Sequence, residues 1–137
     1  MRKHRQYLFK YIYMALFSLD ITQPLVAITH SSNTHTIDFD AHGNNYSIAA
    51  QNATNTITFS NLDASKIGKA GTIVITNPGT VGSLGWAELP ATAYTPGGSA
   101  ISFNTTANKL AVLTYFIAAA DKVLVNYVGD FGGYPQP

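Results

Sequence analysis

Apolar and polar residues alternate with period two through much of the chain, and that pattern predicts strands rather than helices. Between Thr34 and Asp40, Ile37 and Phe39 fall on one face and Thr36, Asp38 and Asp40 on the other, as in a strand with one solvated face. Ala41-His-Gly-Asn-Asn45 has turn chemistry, with Gly43 and Asn44 able to take positive φ. Tyr46, Ile48 and Ala50 then alternate again, which predicts a β-hairpin with the preceding strand. After a second turn at residues 51–55, Ile57 and Phe59 alternate with Thr56, Thr58 and Ser60. Leu62 to Lys69 suits a single helical turn, capped by Asp63 or Ser65.

The second half is more apolar. Ile73, Val74 and Ile75 are contiguous and β-branched, as expected for a central strand buried on both faces. It runs into a turn at Asn77-Pro-Gly79. Leu110 to Ala120 carries two signals: Ala111, Ala118, Ala119 and Ala120 favour helix, whereas Val112, Thr114, Tyr115, Phe116 and Ile117 favour strand. Flanking turn signals and the β-type run Val123 to Val128 decide for strand, with a turn at Ala119-Ala-Asp121. The tail from Gly129 onward predicts no regular structure, with Phe131 and Tyr134 as anchors. About seven or eight short strands at this spacing predict an all-β fold, a single β-sandwich or jelly-roll-like domain over residues 33–137.

Composition narrows the function classes. Only 11% of residues are charged, against roughly 25% in an ordinary domain, so Thr, Ser, Asn and Gly must supply the surface. Such a surface suits particle-bound or extracellular β proteins, and interface cores are likewise poor in Lys and Glu. Arg2, Lys3, Arg5 and Lys10 make up half of the eight basic residues, which leaves four basic against seven acidic in the rest. That balance argues against a nucleic-acid-binding domain, which carries a basic stripe. The absence of cysteine excludes disulfides and thiolate metal sites.

From about Thr36 to Gly132 the order of elements resembles a small β-rich domain of tailed-phage virion proteins, of the tail-fibre, head-fibre and capsid-decoration type. The pieces are Thr36-Ile-Asp-Phe-Asp40, the strands at Asn45–Ala50 and Asn55–Asn61, the entry Gly68-Lys-Ala-Gly71, Trp86, the turn Pro96-Gly-Gly98, the run Thr105 to Phe116, and a terminal strand with Tyr127. One departure is visible: Glu88 to Tyr94 separates Trp86 from Pro-Gly-Gly, so that loop is rearranged. The resemblance implies a non-enzymatic virion structural protein with no cofactor, a homo-oligomer with trimers favoured. Its partners would be major capsid or connector and tail proteins, with a host-surface glycan as a further candidate.

The first 35 residues lie outside this pattern, and residues 1–32 read as an extended N-terminal attachment arm. Tyr7, Phe9, Ile12, Tyr13, Leu16 and Phe17 are too dense in apolar surface for a free tail, and are the candidate partner-binding residues. Two other readings stay open: a secretory signal with cleavage near Leu25-Val-Ala27, and a biological start at Met14. The apolar stretch falls short of the roughly 20 residues a membrane-spanning helix needs.

Chemistry-bearing residues are few. His30, His35 and His42 are the metal candidates, but His35 sits at odd offsets from Asp38 and Asp40 and so points to the opposite strand face. The histidines therefore read as solvated or turn residues. Asp38 and Asp40 share a strand face about 7 Å apart, a spacing that paired glycosidase carboxylates can have, yet no third group accompanies them. Hydrolase, phosphate-loop and metal-helix motifs are absent, and Glu88 is the sole glutamate. Trp86, Tyr94 and Phe103 flank loops and are the candidate loop contacts, for a partner subunit or a stacked sugar. The alternative to a virion protein is accordingly a secreted carbohydrate-binding or adhesion module.

Overall fold

A computed structural model describes residues 23–135. Ten strands form two sheets, with 3₁₀ turns at Ala64–Lys66 and Pro96–Gly98. The strands are β1 (Leu25–Ala27), β2 (His30–Ser31), β3 (Thr34–Asp38), β4 (Asn45–Ala49), β5 (Thr54–Ser60), β6 (Ala70–Thr76), β7 (Gly85–Trp86), β8 (Ala93–Tyr94), β9 (Leu110–Ala119) and β10 (Lys122–Phe131). The larger sheet has the order β1-β4-β6-β9-β10-β8, and the smaller β2-β3-β5-β7. The fold is the expected all-β sandwich. Strands β1 and β2 fall within the range 1–32 read as the arm, so residues 25–27 and 30–31 belong to the sheets.

The connection between β3 and β4 differs from the hairpin expected. The two strands lie in different sheets, and each pairs in parallel with the strand two further on: β3 with β5, β4 with β6. The chain winds back and forth between the sheets, so the crossover that a parallel pair requires is supplied by the strand opposite. Residues 41–44 carry the chain across, with Gly43 at φ 105°. The inward faces of β3 and β4 thereby meet over one core: Tyr46 is fully buried and its hydroxyl donates to the Asp38 carbonyl at 3.0 Å. Period-two alternation is the same for a hairpin and for this arch, because both bury one face.

The hairpin β9–β10 then adds antiparallel to β6 and completes the larger sheet. Ile73 and Ile75 are each 1% exposed, whereas Val74 is half-buried on the outer side, so β6 is buried on one face and not on both. Strand β10 also continues past Val128 to Phe131, where the sequence predicts irregular tail.

The Gly68-Lys-Ala-Gly71 segment has a physical reason at three of its positions. Gly68 takes φ 91° after the 3₁₀ turn, a conformation costly for any residue with a Cβ. Lys69 Nζ donates to the Phe39 carbonyl at 2.8 Å and lies 5.8 Å from the Tyr46 ring centroid; burial there lowers its pKa. At Gly71 a Cβ would stand 1.9 Å from the Asn44 carbonyl oxygen, so only glycine lets β6 pass this close to the β3–β4 arch.

Candidate interaction surface

Strand register assigns the outward positions of the larger sheet to rows that cross several strands. One row is Ala70–Phe116–Leu124–Tyr94, running from β6 across β9 and β10 to β8. The next, Thr72–Thr114–Asn126, is polar but uncharged. Beyond it come Val74–Val112–Val128 and then Thr76–Leu110–Phe131. No residue of these rows is charged. Tyr94, Leu110, Phe116, Leu124, Val128 and Phe131 are between 40% and 52% exposed. A row of large apolar side chains in water is a departure from ordinary surface composition, and contiguous patches of this kind mark interaction sites.

Phe131 reaches this face by a bulge. Val128 pairs with Val112 and Phe131 with Leu110, so β10 spends one more residue than β9 over this step. Asp130 takes φ 65° within the bulge, and its carboxylate lies 3.8 Å from Lys109 Nζ. Without the extra residue Phe131 would point to the other side; with it, the ring joins Leu110 on the outer face. A groove of about 560 Å³ follows the same surface between the Tyr94–Pro96 loop and Phe116, Leu124 and Asn126. Lys122 Nζ, at its end, lies 5.8 Å from the Tyr94 ring centroid.

The three candidate loop contacts separate. Tyr94 is exposed on this face. Trp86 and Phe103 are instead partly buried against the core and stack on each other, 4.7 Å between centroids and 18° between planes. They belong to a chain of rings, His30–His35–Trp86–Phe103–Tyr127, with successive centroids 5.6, 6.1, 4.7 and 5.1 Å apart. The chain ties the smaller sheet to β10. Trp86 therefore acts first as inter-sheet packing, because its large apolar area is better used there than on a loop. A cleft of about 440 Å³ beside it is lined by Glu88, Thr95, Ser99 and Phe103 among others.

His35 is not solvated, as the sequence reading had it, but fully buried. It shares the inward face of β3 with Ile37, two residues on. Its Nε2 is 2.9 Å from Asn55 Oδ1. The Asn55 Nδ2 donates to the carbonyls of Gln51, Ala53 and Gly85 at 2.8, 2.9 and 3.2 Å, which fixes the amide orientation. Asn55 Oδ1 also accepts from the Gln51 N–H at 2.9 Å. His35 must then donate through Nε2, and its buried Nδ1 has no hydrogen-bond partner. Burial lowers the His35 pKa, the Asn55 bond opposes that, and His30 adds to the lowering. Asn55 reads as a turn residue in the sequence, although its even offset from Ile57 puts it on the inward face.

The acidic pair is engaged structurally. Asp38 Oδ1 accepts from Asn61 Nδ2 at 2.6 Å and from the Asp40 N–H at 2.9 Å, and these bonds hold its carboxyl below the usual range. Asp40 pairs with Lys66 at 2.6 Å. Among the described residues no group of three His, Asp or Glu side chains is placed to hold a metal ion. Tyr7, Phe9, Ile12, Tyr13, Leu16 and Phe17 lie outside the described residues. Comparison with protein-family models, with curated proteins and with solved structures gives no match.

Proposed function

We propose that the protein is a non-enzymatic structural subunit of a phage virion, a capsid decoration, head-fibre or tail-appendage protein that works by assembly. The observation that carries this reading is the outer face of the larger sheet, whose registered rows are uncharged and hold six half-exposed large apolar side chains, with Lys122 at the margin. Burying such a face in an assembly releases water from apolar surface at roughly 25 cal/mol per Å². The Thr- and Asn-rich remainder and the resemblance in element order support the same reading. In it, residues 1–22 attach the subunit to a capsid, connector or tail protein. Against the secreted carbohydrate-binding alternative, Trp86 and Phe103 stack on each other, partly buried against the core, rather than standing exposed on loops.

The test is co-sedimentation of the full chain with particles from its source. Serine at Phe9, Ile12 and Phe17 together should abolish incorporation while the circular dichroism of the β domain is unchanged. Normal incorporation of that variant would remove the attachment role of the segment.

A further inference from the structure

We infer that the outer face of the larger sheet, centred on β9 and β10, is covered by the same face of a second copy of this chain. The inference rests on the reading of this face as the assembling surface and names its occupant.

Three observations point to a second copy. The first is charge. The registered rows carry no charged side chain, and Lys122 stands only at their margin, over Tyr94 and beside Asp121, so the centre of the face matches best a surface as uncharged as itself. Self-association interfaces are the more apolar class and are depleted of charge at their centre. The second is area. Tyr94, Leu110, Phe116, Leu124, Val128 and Phe131, at 40% to 52% exposure, present on the order of 500 Å² of apolar surface. With the Thr and Asn row between them the face approaches the roughly 800 Å² per partner of a stable interface. The third is shape. Two apolar ends, Phe116–Leu124 and Leu110–Phe131, flank the middle rows. A two-fold axis through the middle brings the first end of one copy onto the second end of the other, which is the self-complementarity an isologous dimer needs. The sheets would stack about 10 Å apart, as in any face-to-face sheet packing. The bulge that turns Phe131 onto this face completes the second end.

The test is sedimentation equilibrium of the full chain from about 1 to 100 μM, for the native protein and for Leu124→Lys, Val128→Lys and Thr36→Lys. Leu124 and Val128 are half exposed in one copy, so lysine there leaves the fold intact; thermal melts check this. Thr36 is exposed on the smaller sheet and serves as the control. The expected result is a dimer for the native chain and for Thr36→Lys, with Leu124→Lys and Val128→Lys raising the dissociation constant at least about 100-fold, since each buries an unpaired ammonium. A native chain that is monomeric at 100 μM, whether its face is bare or covered by residues 1–22, overturns the inference. So does a dimer indifferent to both lysines. Particle association is scored separately: a dimer that never joins particles keeps this inference and removes the virion reading, and a monomer that joins them does the reverse.

Discussion

Replacing Asn55 by alanine should cost about 3–4 kcal/mol, from stranded hydrogen-bond donors and the void left behind. The side chain makes five hydrogen bonds from a fully buried position. Not all five are lost to the same effect. The Gln51 carbonyl also accepts from the Ala53 N–H at 2.7 Å and the Ala53 carbonyl from the Gly85 N–H at 3.0 Å, and the Gly85 carbonyl stays in the β5–β7 ladder, so all three acceptors keep a partner. Two donors are stranded instead: the Gln51 N–H and the buried His35 Nε2–H. Each buried donor left without an acceptor costs about 1–3 kcal/mol, and the void adds to it. With a urea m-value of about 1–3 kcal/mol/M, the midpoint should fall by roughly 2 M. Asn55→Asp separates polarity from volume: it keeps both acceptor contacts but turns Nδ2 into an oxygen facing three carbonyl oxygens. It should be less stable than the alanine variant at pH 7. Its carboxyl is then held above its ordinary pKa in the folded state, so stability should recover as pH falls. An alanine variant within about 1 kcal/mol of the native protein, at unchanged m, would refute the assignment of Asn55 as the knot joining β3, β5 and β7.

Other variants test other parts of the account. His35 has a folded pKa below its ordinary 6.5, so the unfolded chain binds the proton more readily. Its contribution is complete above pH 6.5 and is lost as pH falls from 6.5 towards the folded pKa, at up to about 1.4 kcal/mol per pH unit. Urea midpoints between pH 5 and 8 should show this slope, and His35→Gln, which keeps a donor for Asn55 but cannot titrate, should reduce it. Gly71→Ala should lower stability by about 3 kcal/mol, because its Cβ meets a backbone oxygen that cannot yield, while Gly82→Ala, open on every side, should change it by less than about 0.5 kcal/mol. Ile48→Ala, in the core beneath both sheets, should cost about 2–5 kcal/mol, read from thermal denaturation.

Strand positions were legible because one-face burial writes itself as alternation, and Ile37, Ile48 and Ile57 all face inward where parity puts them. The same parity puts His35 and Asn55 on the inward faces, but His35 reads as a solvated or turn histidine and Asn55 as a turn residue, because both are polar. Only the structure shows that each satisfies the other. Connectivity was less legible: the arch at residues 41–44 and a hairpin turn use the same residue types and leave the same alternation. The run Leu110 to Ile117 is apolar at both parities, so alternation there does not say which face is buried. Leu113, Tyr115 and Ile117 are indeed buried, whereas Leu110 and Phe116 face outward with no layer of the described chain over them. The bulge at Asp130 was hidden because Gly129-Asp130 looks like the start of a loop, and the outward aim of Phe131 went with it. Trp86 and Phe103 are 17 residues apart in numbering, and nothing local signals that their rings stack.

The central claim is that the chain is an assembling subunit and that the larger sheet's outer face takes part in the assembly. It is tested most directly by particle incorporation of the native full chain against Leu124→Lys, with intact mass measured on the incorporated species. The account predicts that the native chain co-sediments with particles at fixed stoichiometry, and that Leu124→Lys, folded by circular dichroism, is depleted from them. A soluble native species beginning near Ile28, found in no particle fraction, would contradict it.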